Sequence, residues 1–215
     1  MAERDPFLEE FFIELQKAIR RLLDYEHKVI DLRGVEYVAA VDAAYRGDLM
    51  SVAAVGWRIG EDKPIDEKCL ICKAPYPYVP GLLFLREAPP MLKAVKLLEL
   101  DWQLLLVDGH GILHPRRMGL AVFLGLTLDK PTIGIAKSLL IGSESGGGDF
   151  GEVRASGELL GYWFKLDRRK FYASPGYLVD VKQIPEIIRR FGGYPKPLSY
   201  ADRLSKRMLS GRSLA

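Results

Sequence analysis

From Pro6 to about Tyr25, apolar residues return every three or four positions, with Leu8, Phe11, Phe12, Leu15, Ile19, Leu22 and Leu23 on one stripe. Asp5 and Pro6 supply a cap and a first helical position, so this spacing predicts an amphipathic helix. The period then shortens. VEYVAAVDAAY (35–45), LMSVAAVGWRI (49–59) and DEKCLICKA (66–74) read as strands, and the short links RGD (46–48) and GEDKPI (60–65) predict an antiparallel meander. A helical turn is expected through Leu82–Glu87, then a break at Pro89-Pro90 and a second helix, MLKAVKLLEL.

The second half alternates differently. WQLLLVDG (102–109) is a buried strand, MGLAVFLGLTL (118–128) has helical period, and PTIGIAKS (131–138) is another strand, an order that makes the two strands parallel. IGSESGGGDFG (141–151) has the composition of a flexible loop. The stretches VRASGELLGYWFKL and KFYASPG are strand-like, and helices follow near 184–191, stopped by Gly192-Gly193, and from about Ser199. The fold class is therefore α/β: a mixed sheet, antiparallel meander plus parallel strands, flanked by helices on both faces, in a single domain over residues 1–215.

Composition narrows the setting. With 48% hydrophobic and 27% charged residues, the chain is ordinary for a globular protein. No apolar run reaches the roughly 18 residues that span a bilayer, and the start MAERDPFLEE is acidic where a secretory signal would be basic. The expectation is a soluble, cytoplasmic protein with no membrane partner. The net charge is +3, and Arg20-Arg21, Arg116-Arg117, Arg168-Arg169-Lys170 and Arg189-Arg190 could meet phosphates or form solvated faces. Cys69 and Cys72 are three apart on an expected strand, so they point to opposite faces and lack a second pair to complete a metal site.

Two carboxylates stand in apolar surroundings, Asp42 inside VAAVDAAY and Asp108 at the end of LLLVDG. An ionised carboxylate there is costly unless it is paired or binds a cation. If the strands are neighbours, the two aspartates could join Glu87 in an oxygen site suited to magnesium; alternatively they are solvated strand ends. Lys137 ends the next parallel strand on the same sheet edge, where ligands bind in such sheets. In DGHGILHPRRMG, Gly109 and Gly111 permit close backbone approach, His114 and Arg116 follow on the loop, and His110 is expected to be exposed. Between three prolines, Tyr76 and Tyr78 are held stiffly in a loop, as a plug over the core or as a platform for a flat group.

Five ordered segments, VAAVDAAY, PYVPGLLFLREAPP, VDGHGILHPRRMGLA, PTIGIAKS and YASPGYLVD, carry a match that runs from about Val35 to Asp202, most of the chain. Through them the sequence resembles the endonuclease V family of the RNase H-like superfamily. The resemblance implies a DNA repair endonuclease that uses Mg2+, with Mn2+ able to substitute. Such an enzyme nicks a strand containing deoxyinosine at the second phosphodiester bond 3′ to the lesion. It leaves 3′-hydroxyl and 5′-phosphate ends and does not remove the base.

Carried over by position, the resemblance makes Asp42, Glu87 and Asp108 metal-binding carboxylates and places the family's fourth ligand position on Asp202. In that scheme one ion, on Asp42 and Asp108 with help from Asp202, generates the nucleophilic water, and a second, with Glu87, stabilises the departing oxygen. Lys137 would contact the scissile phosphate or orient the water, and His114 would help to hold the strand. Pro77-Tyr78-Val79-Pro80 matches the family's wedge, so Tyr78 would fill the gap left by a flipped base. Gly81, Leu83, Gly109, Gly111 and Leu140 would line the base pocket. Tyr177, Phe123 and Leu198-Ser199-Tyr200 depart from the usual family residues. The implied partner is deoxyinosine-containing DNA acted on by a monomer. The alternatives are inosine-containing RNA as substrate, or a non-catalytic reader of deaminated nucleic acid.

Overall fold

The computed structural model describes residues 3–24, 29–166 and 169–211. The helix end expected at Tyr25, and Arg168 of the basic triplet, lie outside the described residues. α1 (Pro6–Leu23) starts where the sequence predicts, its first amides from Phe7 and Leu8 donating to the Asp5 side chain.

A meander follows, β1 (Tyr37–Arg46), β2 (Leu49–Arg58) and β3 (Asp66–Lys73), antiparallel throughout. After α2 (Leu83–Lys96) come β4 (Leu104–Asp108), α3 (Leu120–Leu128) and β5 (Thr132–Ala136), with β1, β4 and β5 parallel. Four further strands, β6 (Ser143–Gly147), β7 (Phe150–Ala155), β8 (Glu158–Leu166) and β9 (Arg169–Pro175), extend the sheet antiparallel from β5. The chain closes with α4 (Ile184–Arg190) and α5 (Lys196–Leu209). The nine strands of the described residues form one sheet in the order β3-β2-β1-β4-β5-β9-β8-β7-β6.

The core lies on both sides of this sheet. Val38, Ala40, Leu104, Leu106, Ile133 and Ile135 face α4 and α5, where Ile187, Leu198, Ala201 and Leu204 cover them. Ala39, Val41, Leu105 and Val107 face the other way, onto Met91 and Val95 of α2 and Leu124 of α3. Helices on both faces of a mixed sheet agree with the expected α/β architecture. Cys69 and Cys72 are free, half-buried and packed against opposite layers, as their spacing requires.

Four local expectations are corrected. Pro89 and Pro90 do not break the chain: α2 runs through both, because their fixed φ is helical and their cost is confined to missing amide donors and crowding of the preceding turn. The glycine-rich 141–151 segment contains β6 and the start of β7, paired as a hairpin. Side chains from β8 and β9 reach past β7 to tie it down: Tyr172 donates to Glu144 at 2.7 Å and Trp163 donates to the Ser145 carbonyl at 3.0 Å. VRASGELLGYWFKL is split between β7 and β8 at Ser156-Gly157, both with positive φ. Finally, α5 begins at Lys196, since Pro195 and Pro197 suit a cap and first turn.

Candidate metal centre and adjoining cavity

Strand alternation places the acidic groups. Ala40, Leu106 and Ile135 point toward the α5 layer, so Asp42 within β1, Asp108 at the end of β4 and Lys137 just after β5, each two residues further, point the same way. The β1–β4 register pairs Val41 with Val107, which sets Asp42 beside Asp108. From α5, Asp202 completes the group: one carboxylate oxygen from each of Asp42, Asp108 and Asp202 lies within 4.8 Å of the others.

Asp42 is only 4% exposed. Burial first, and then the hydrogen bond and charge of Asp108, push its carboxyl up to about 8. Lys137 Nζ bridges the cluster, 2.5 Å from Asp108 and 3.1 Å from Asp202. Burial opposes the Lys137 charge, but the Asp108 hydrogen bond and charge outweigh it and hold its pKa above the ordinary lysine range. Burial likewise works against ionised Asp202, yet hydrogen bonds from Lys206 and Lys137 keep its pKa below the ordinary value. Ser205 Oγ sits 3.0 Å from Asp42 Oδ2 and 3.0 Å from the Asp202 carbonyl, joining strand to helix.

Glu87 stands apart from these three. It belongs to α2, on the opposite face of the sheet, and reaches the same cavity only beyond the strand ends. Burial pushes it up to about 7, although the Tyr45 hydroxyl donates to it at 2.7 Å and favours the charged form. Arg86 lies over the Tyr45 ring at 4.3 Å and donates to the Tyr76 carbonyl at 3.0 Å.

The cavity holds about 340 Å³. Its lining includes Asp42, Glu87, Asp108 and Lys137 together with Tyr78, Pro80, Gly81, Leu83, Gly109, His114 and Leu140. Tyr78 is 64% exposed at this site, whereas Tyr76 is buried and its hydroxyl accepts from the Asp5 amide at 3.0 Å. Of the two tyrosines, Tyr76 is the plug. Val79-Pro80-Gly81-Leu82 closes a turn through Leu82 N–H to the Val79 carbonyl, 2.9 Å, with Gly81 at φ +80°. Proline second and a positive-φ glycine third are what a type II turn requires.

Three expected residues, Pro77, Gly111 and Asp202, do not line the cavity; Asp202 belongs to the site through the carboxylate cluster beside it. Gly111 is a packing position: its amide donates to Ser174 Oγ at 3.0 Å, and a Cβ there would fall 1.9 Å from the Pro175 carbonyl oxygen. His114 is buried and aimed at the turn, with Nε2 3.2 Å from the Gly81 carbonyl. Its Nδ1 accepts the Arg116 amide at 3.2 Å, which assigns the ring proton to Nε2. Burial first, then the Arg116 charge, lowers His114 to about 4. His110, expected to be exposed, is half-buried and lines the cavity.

The sequence reading missed Ser205, Tyr45 and Gln16. Ser205 follows Asp202 by three, the spacing of one helix face, and Tyr45 follows Asp42 by three, which on a strand turns it toward Glu87. Gln16 carried no signal beyond being a polar residue within the apolar period of α1.

Crowded carboxylates with no soft ligand among them suit a hard divalent cation. A family model described as Endonuclease V matches residues 15–203. An endonuclease V of Saccharolobus islandicus is 39% identical over 204 residues, covering 93% of this chain and 95% of its own. The crystal structure of endonuclease V from Streptomyces avermitilis has a TM-score of 0.80 at 28% identity, with 92% of each chain covered. An endonuclease V of Ciona intestinalis, solved with a 24mer DNA containing an inosine followed by a ribo-adenosine, gives 0.82 at 25% identity, covering 96% of this chain and 99% of that one.

Proposed function

Starting from the fact that the chain belongs to the endonuclease V family, we propose that it is a divalent-cation-dependent endonuclease that cuts DNA 3′ to a deaminated base, hypoxanthine above all. The observation that carries the metal-dependent chemistry is the approach of Asp42, Asp108 and Asp202 within 4.8 Å, with Asp42 and Asp108 lining a cavity walled by the Tyr78–Gly81 turn. The inosine-containing DNA bound by the Ciona relative supports the substrate class.

Asp42, Asp108 and Asp202 would hold magnesium or manganese, with Glu87 approaching from the far wall. A cation bound there supplies Lewis acidity, lowering the pKa of an attacking water and screening charge on the departing oxygen. The remaining work belongs to the chain. Lys137, kept charged by Asp108, presents an ammonium to a phosphate oxygen or to the water. Ser205 fixes the Asp42 carboxyl, and Tyr45 fixes Glu87. Tyr78, on a loop stiffened by Pro77 and Pro80, is placed to replace the stacking that an extruded base loses, a cost of a few kcal/mol. Backbone groups at Gly81 and Gly109 can then read the hypoxanthine edge, which differs from adenine by an oxygen in place of an amino group.

Cleavage of inosine-containing RNA is a second reading, favoured by the ribo-adenosine that follows inosine in the Ciona complex. The test incubates the protein and magnesium with end-labelled DNA and RNA strands carrying one inosine, beside inosine-free strands and an Asp42→Ala variant. A single nick at the second phosphodiester bond 3′ to inosine, with 3′-hydroxyl and 5′-phosphate ends and lost in the variant, is the expected result. Inosine-dependent binding without cleavage would instead identify a non-catalytic reader.

A further inference from the structure

Gln16 is fully buried, with 0% exposure, in the middle of α1, far in sequence from every motif of the site. Its hydrogen-bonding capacity is used on three partners. Nε2 donates to the Gly81 carbonyl at 3.2 Å and to the Met118 carbonyl at 3.0 Å, while Oε1 accepts from Arg116 Nε at 2.5 Å. This network also fixes the amide orientation, because the two carbonyls must face the NH2 group and the guanidinium must face the oxygen.

Gly81 and Met118 both line the cavity, from two different loops. The Gly81 carbonyl takes further donors from Arg116 Nη2 at 2.8 Å and His114 Nε2 at 3.2 Å. Gln16 is thus the side chain of α1 that ties the turn behind Tyr78 to the loop leading into α3. From this convergence we infer that Gln16 is a positioning residue for base extrusion: through Gly81 it holds the Pro80-Gly81 turn, and with it Tyr78, at the distance from Met118 that keeps the base pocket open. The inference rests on the reading of Tyr78 as a wedge.

The consequence differs between substrates. In a duplex the enzyme must unstack and unpair the lesion, so a loosened wedge is costly; in a flexible single strand less depends on the wedge. Global destabilisation removes active protein from both reactions equally and leaves their ratio unchanged. The experiment measures kcat/KM on inosine in a duplex and in a single strand for wild type, Gln16→Met, Tyr78→Ala and the double variant. Gln16→Glu is added because it keeps the acceptor for Arg116 but loses both donors, and it serves if Gln16→Met fails to fold.

The expected result is a duplex to single-strand ratio lowered about tenfold by Gln16→Met and by Gln16→Glu, with no further drop when Gln16→Met is combined with Tyr78→Ala. Variants that retain the wild-type ratio, or a double variant whose ratio falls by the product of the single effects, would overturn the inference. A wild type that cuts neither substrate would overturn the functional reading, and this inference with it.

Discussion

Asp42 shares a confined, mostly buried space with Asp108 and Asp202, where the Ser205 hydroxyl donates to it and the Lys137 charge favours its ionised form. Like charges held this close in a poorly solvated site oppose folding, so the residues that make the centre reactive also make the cation-free protein less stable. Asp42→Asn preserves shape and replaces a carboxyl whose ionisation the site opposes with a neutral amide. In chelator-treated protein it should raise unfolding free energy by about 1–3 kcal/mol while abolishing cleavage, read by urea denaturation and a nicking assay. A loss of stability would mean that the Ser205 and Asp108 contacts outweigh the repulsion. His114 carries the opposite burden: its folded pKa of about 4 lies below the ordinary histidine value, under the influence of burial, Arg116 and His110. The unfolded state therefore binds the extra proton first, and stability is lost as pH falls from about 6.5 toward 4, by roughly 3 kcal/mol at most. His114→Gln, which can still donate to the Gly81 carbonyl, should lessen the slope of the stability profile in that window, leaving the part that His110, likewise lowered to about 4 by burial, contributes, and leave the slope above pH 7 unchanged.

At the level of elements, what could be read from the sequence was whatever obeys a period. β1, β4 and β5 announce themselves as apolar runs, and the βαβ order fixes the shared direction of β4 and β5, so Asp108 and Lys137 could be placed on one sheet edge beforehand, whereas Asp42 joins them only through the β1–β4 pairing that the structure supplies. Elements made by pairing or packing could not. β6 is fully exposed and acquires strand structure from β7 and from the Tyr172 and Trp163 anchors, none of which its own composition reveals. Tyr76 and Tyr78 share a motif, but only the tertiary environment separates the buried plug from the exposed wedge. Gln16 likewise acquires meaning only where α1 meets two distant loops. α2 shows the converse, a local rule overridden: Pro89 sits in the helix on its exposed side, so the Leu85 carbonyl lacks its donor. Pro89→Ala should restore that bond. The gain, reduced by roughly 0.4–1 kcal/mol of added unfolded-chain entropy, should still come to about 1 kcal/mol or more by urea titration. A lower midpoint would show that the ring's packing is worth more than the missing bond.

Across the whole molecule, the cavity lies where three kinds of support meet: the carboxyl ends of the parallel strands, α5 on one face of the sheet, and α2 with the Tyr78 loop on the other. Neither layer holds a complete site, since Asp202 comes from one side and Glu87 from the other, so occupation of the metal centre should brace both layers against the sheet. A ligand that binds only the folded state at one hundred times its dissociation constant stabilises by about 2.7 kcal/mol. For a chain of this size each kcal/mol corresponds to roughly 2–4 °C, so saturating magnesium or manganese should raise the melting temperature by about 5–10 °C over chelator-treated protein. Asp108→Asn should abolish most of that shift, and Glu87→Gln should reduce it if α2 helps to close the centre. An undiminished shift in Asp108→Asn would place the stabilising ion elsewhere on the protein and leave the carboxylate cluster without its assigned ligand.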